Sequence, residues 1–178
     1  FKWIAILSAL AAAAVHAYLL KSHYDLHYGE VTGKLMCDIS SRFSCSAASA
    51  SRFAELFGVP IALWGLLTNL AFVGFAAWDP IADEDGKNAN RTGILITAAV
   101  LLIATLVTAI ISVTALDTIC PFCGATYVLS IITSAAAWVA YKPGLTFEFK
   151  PSLIGVVVAF AISGFILNDQ FRSSYTGP

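Results

Sequence analysis

The chain has 178 residues, of which 58% are hydrophobic and only 12% charged, with a mean hydropathy of +0.80. Soluble domains carry about 25% charged residues, so this composition excludes a soluble globular protein and requires an integral membrane one. A net charge of −1 with no basic tract leaves no electrostatic footprint for nucleic acid.

The first apolar run, Trp3 to Leu20, would cover about 27 Å as a helix, enough to cross a slightly thin hydrocarbon core. Lys2 and the small-residue tract Ala11 to Ala14 also resemble a secretory signal peptide; the stretch is read as the first span. His16 inside it reads as a packing or interfacial residue, because no second ligating residue falls on its helical face.

Polar and charged residues return from Lys21 to Arg52, so residues 21–56 are predicted as a long aqueous loop, and Cys37 and Cys45 lie in it. His23 and His27 stand i, i+4, a spacing that grips metals, but no third ligand is near and they read as a solvated helix exit. The Ser/Ala-rich stretch Ser46 to Ala54 is predicted as a short helix with Ser44 as its N-cap.

The second span is predicted over Phe57 to Trp78, with Gly58, Gly65 and Gly74 as positions of close helix approach and Pro60 near the start. Asp79 to Arg91 is read as a solvated turn. Gly93 to Leu116 is the third span, uncharged throughout. Asp117-Thr118-Ile119 then separates it from Cys120-Pro121-Phe122-Cys123, which opens a fourth span ending at Tyr141. This places Cys120 at or before the first helical turn with Pro121 just inside. The orphan N–H groups and positive dipole end there are expected to stabilise a thiolate on Cys123. Lys142 to Lys150 is a polar connection, residues 152–168 hold a fifth apolar run, and 169–178 form a polar tail. The expected architecture is all-α: a transmembrane four-helix bundle with a fifth, peripheral transmembrane helix, occupying residues 1–168. The missing N-terminal methionine and the abrupt tail suggest a piece of a longer protein.

The loop with Cys37 and Cys45 follows the first span and the loop with Cys120 and Cys123 follows the third, so two crossings lie between them. Both pairs must face the same side. Lys and Arg divide five and five between the two sides and do not orient the chain; redox chemistry does, because dithiols that end as disulfides belong in an oxidising compartment, outside the cytoplasm. Four cysteines allow three disulfide connectivities. A purely structural role fits poorly with a small CxxC ring, and zinc would need two tight knuckles, which a C-x7-C spacing does not give. A redox relay fits the spacing best, and no metal site is expected.

The stretches Cys37-Asp38-Ile39-Ser40-Ser41-Arg42-Phe43-Ser44-Cys45-Ser46, Phe57-Gly58-Val59-Pro60 and Cys120-Pro121-Phe122-Cys123-Gly124-Ala125-Thr126-Tyr127 together resemble the vitamin K epoxide reductase family, and most of all its bacterial homologues. The resemblance implies a quinone, such as ubiquinone or menaquinone, held near the cysteine-side surface of the bundle. It implies that Cys123 meets the quinone and that Cys120 exchanges with the loop pair. Cys37 and Cys45 would take electrons from a thioredoxin-like periplasmic partner, with a transient Cys45–Cys120 bridge. Tyr127, one turn beyond Cys123, would offer its hydroxyl to a quinone carbonyl, and Phe57 would supply a pocket ring. Animal members carry an asparagine at the position of Ala54, so a second polar contact to the quinone is missing there. Bacterial relatives often continue after a fifth span into a thioredoxin-like domain. None follows Leu167, so the partner is expected to be separate or cut away, and the site to be the bacterial inner membrane. Two rival readings are the unrelated bacterial quinone-linked disulfide oxidase, whose first dithiol is a tight CxxC, and a membrane protein with structural disulfides only.

Overall fold

A computed structural model of the chain describes residues 1–29, 37–40, 42–116, 118–142 and 151–176. Glu30, Lys34, Ser41, Asp117, the connection over 143–150 and the last two residues lie outside the described residues. The elements in chain order are α1 (Lys2–Tyr28), α2 (Cys45–Ser49), β1 (Glu55–Leu56), β2 (Val59–Pro60), α3 (Ile61–Trp78), α4 (Glu84–Ala115), α5 (Pro121–Tyr141) and α6 (Pro151–Thr176). Among the described residues α1, α3, α4 and α5 contain stretches long and apolar enough to cross a membrane. The protein is an all-α membrane bundle. Each of the four helices packs on two others in the cyclic order α1, α3, α4, α5, while α2 lies on α1 and α5 and α6 lies outside against α1, α3 and β2.

Lipid offers no hydrophobic drive between helices, so close packing of small side chains holds them together. Ala5, Ala9, Ala12 and Ala13 of α1 are buried, as are Ala136 and Ala137 of α5. Ser8 and Thr133 join α1 to α5 through their hydroxyls at 2.8 Å, and the Ser134 hydroxyl donates to the Ala98 carbonyl of α4 at 2.8 Å. At the end of the bundle away from the cysteines, the buried Asp79 carboxylate accepts from Lys2 at 3.4 Å and from Arg91 Nε at 3.1 Å.

Three expectations are corrected. Residues 21–28 are not loop: α1 continues through them, with Lys21 and Asp25 paired one turn apart and Tyr24 buried beneath Phe171 and Tyr175 of α6. The burial of that aromatic face, rather than the charge of the stretch, decides its structure. Residues 57–60 are not helical: Phe57 and Gly58, with φ of 56° and 75°, form the turn of a two-residue hairpin pairing Leu56 with Val59, and α3 starts only after Pro60. The turn at 79–91 is mostly the start of α4, because Asp83 caps it by accepting from the Gly86 N–H at 3.2 Å and Asn90 donates to the Phe75 carbonyl at 3.0 Å. The fifth apolar run is the body of α6, which extends to Thr176.

Candidate active site

Two loops that are far apart in sequence are tied together by backbone bonds. The Ser44 N–H donates to the Ile119 carbonyl at 3.1 Å and the Ile119 N–H donates to the Arg42 carbonyl at 2.8 Å, forming a parallel bridge between Phe43 and Ile119. Each loop then enters a helix one residue after its tie: Cys45 begins α2, and Cys120 caps α5. Cys45, Cys120 and Cys123 are therefore placed by helix starts, which are rigid, whereas Cys37 lies in the turn before α2.

Asp38 fixes the first pair. One of its carboxylate oxygens accepts from Ser44 Oγ at 2.8 Å and the Ser46 N–H at 3.1 Å, and the other accepts from Ser46 Oγ at 2.6 Å. Ser44 also acts as the expected N-cap, accepting from the Ala47 N–H at 3.1 Å. A carboxylate at the first turn of a helix is favoured by the dipole as well as by the N–H. On α5, Cys120 Sγ accepts from the Cys123 N–H at 3.2 Å, with Pro121 in the first turn. The free amide of this helix end is thus aimed at the sulfur of Cys120, not of Cys123 as the sequence suggested. A side chain at an N-cap folds back onto the amide three residues on, whereas a side chain inside the first turn points away from it.

Cys37 is bonded to Cys45 and Cys120 to Cys123. Cys120 Sγ lies 3.6 Å from Cys45 Sγ. The two pairs emerge at one end of the bundle, as the count of crossings requires. Cys37, Cys45 and Cys120 are buried with Leu19, and Phe122 of the CxxC packs on Tyr18 with ring centroids 5.1 Å apart.

A cavity of about 610 Å³ opens beside the second pair. That volume falls in the range of small-molecule sites, about 300–1,000 Å³. Cys120, Cys123, Thr126, Tyr127 and Ser130 line one wall from α5, and Ile103, Thr105, Val107 and Thr108 line another from α4. Trp64, Phe160, Phe53, Ala54 and Leu56 close the rest, Trp64 packing on Phe160 at 5.8 Å and, behind it, on Phe165 at 5.9 Å between centroids. A largely apolar chamber with sulfur on its wall and a phenol one turn further along the same helix suits a flat, lipid-soluble ring with carbonyl oxygens.

Of the residues singled out from the sequence, Cys120, Cys123, Tyr127 and Ala54 line the cavity, and Cys37 and Cys45 pack beside Cys120 without lining it. The structure does not bring Phe57 there. That ring is 80% exposed at the tip of the hairpin, because the positive φ of the turn directs it away; Phe53, which the sequence reading passed over, is on the wall instead. Both His16 and His23 also line the cavity. His23 is no solvated exit: it is buried, and its Nε2 lies 3.2 Å from Glu55 of β1. The sequence signal was their spacing of seven residues, two turns along one face of α1.

Among known proteins, the family described as Vitamin K epoxide reductase family matches residues 3–138. No curated protein matches the chain.

Proposed function

The chain belongs to the vitamin K epoxide reductase family, whose members are membrane thiol–disulfide oxidoreductases, and on that premise we propose that it passes electrons from a thioredoxin-like protein to a quinone. A thiolate of the reduced partner attacks Cys37, and the Cys37–Cys45 bond breaks to release Cys45 as thiolate. Cys45 attacks Cys120, forming the Cys45–Cys120 bond while Cys123 leaves as thiolate. The partner's second thiol frees Cys37, which reattacks Cys45 and leaves Cys120 and Cys123 reduced. As the Cys120–Cys123 bond re-forms, the two thiols give up two electrons and two protons, for which a bound quinone would be the sink. Tyr127 would hold it by donating its hydroxyl to a carbonyl oxygen, and Phe53, Trp64 and Leu56 would keep water from the ring.

The observation that carries this reading is the 3.6 Å separation of Cys120 Sγ and Cys45 Sγ beside the cavity. No domain motion is needed for the internal step. Because Cys37 is itself buried, the partner's attack requires that sulfur to become exposed. Formation of disulfides in the partner supports an oxidising compartment for the cysteine face, hence the periplasmic side of a bacterial inner membrane. The test is Cys123→Ser. Quinone reduction by a dithiol partner is lost, and a Cys45–Cys120 bond accumulates, detected by mass spectrometry of unreduced peptides. Unchanged turnover would remove the assignment.

A further inference from the structure

A histidine in the middle of a membrane span needs a reason, because polar groups there are costly. His16 lies about halfway along α1 with its Nδ1 2.8 Å from the Ala12 carbonyl, one turn back. A carbonyl only accepts, so Nδ1 carries the proton and the neutral ring presents a bare lone pair at Nε2. No partner for Nε2 occurs among the described residues. The ring stands on the cavity wall with its Nε2 edge over Gly65 of α3, where a β-carbon would come to 2.2 Å of Nε2. Glycine at 65 is therefore what leaves room for the imidazole between α1 and α3.

The chemistry of the lone pair is selective. A quinone carbonyl cannot bond to it, since both are acceptors; the hydroxyl of a hydroquinone can, by donating. We propose that His16 Nε2 is a second polar contact in the cavity, one that recognises the reduced form of the acceptor. It does the work left undone at Ala54. Overall the Cys120 and Cys123 thiols lose two electrons and two protons as their sulfurs bond, the quinone gains both to become hydroquinone, and one of its new O–H groups donates to Nε2. By holding the product more tightly than the substrate, His16 makes reduction in the site more favourable. Tyr127, on the neighbouring α5 wall, is the donor that serves the oxidised form. This inference rests on the quinone reading of the cavity.

The experiment is an anaerobic titration of purified protein with menadione and with its hydroquinone, followed through quenching of tryptophan fluorescence, Trp64 being in the wall. His16→Leu weakens hydroquinone binding about tenfold and leaves menadione within about twofold. His16→Gln, whose amide oxygen accepts, restores most of the loss. Equal weakening of both forms, or of neither, overturns the role of His16 while leaving the quinone reading intact. If the wild-type protein binds neither form, the quinone reading itself fails. A 15N spectrum of the unliganded protein checks the tautomer independently: a proton on Nε2 of His16 would also overturn the inference.

Discussion

At the scale of single residues, Asp38 and Gly65 set the site without touching an acceptor. Asp38 holds both the cap and the second residue of α2. Asp38→Ala leaves two serine hydroxyls and a backbone N–H to water, at a cost of about 1–3 kcal/mol, and shifts Cys45 off its line to Cys120. The expected outcome, in a Cys123→Ser background, is at least a severalfold slower build-up of the Cys45–Cys120 bond, while Asp38→Asn, which keeps an acceptor, loses less. Gly65→Ala displaces the His16 ring, so it should reproduce the His16→Leu loss of hydroquinone affinity with the histidine still present. The cysteines were readable from their spacing in the sequence, and Tyr127 from the family resemblance that those motifs carry. His16 was not. Its value depends on a glycine of another helix and on a tautomer fixed by its own backbone, neither of which a single stretch displays.

At the scale of elements, α5 was legible to the residue and α4 only at its C-terminal end, its residues 84–91 having been read as a turn; elements were misread where tertiary contacts override composition. The end of α1 is the clearest case: its charged face reads as loop, but α6 covers it. Tyr175 donates to Asp25 at 2.7 Å, Tyr24 donates to Asn168 at 2.7 Å, and Asn168 donates to the Gly58 carbonyl of the hairpin turn at 3.2 Å. These bonds link α6 to both the α1 extension and the turn beside the cavity. The same helix passes so close to α3 that a β-carbon on Gly164 would meet the Trp64 ring at 2.6 Å. Gly164→Ala is therefore expected to cost about 1–3 kcal/mol and to loosen menadione binding, read as a lowered thermal midpoint in detergent together with weaker fluorescence quenching. A drop in midpoint with unchanged quenching would place Trp64 outside the acceptor's reach.

At the scale of the whole molecule, the two ends of the bundle do different jobs. One end carries the sulfurs, and the other is fastened by the Asp79 carboxylate between Lys2 and Arg91, which joins the first helix to the α3–α4 turn. Asp79→Ala leaves two cations that are only partly solvated and is expected to lower stability by about 1–2 kcal/mol without changing the rate of the Cys45–Cys120 exchange, since α3 separates the two places by about 27 Å. Thermal melts and disulfide trapping on the same preparation check both halves of that statement. The bundle itself follows from hydropathy, and the shared side of the cysteine pairs from counting crossings; the backbone tie between Phe43 and Ile119 follows from neither. That tie works as a clasp. By pinning one loop against the other it makes the meeting of the two disulfides a built-in property of the folded chain rather than a chance encounter between distant stretches.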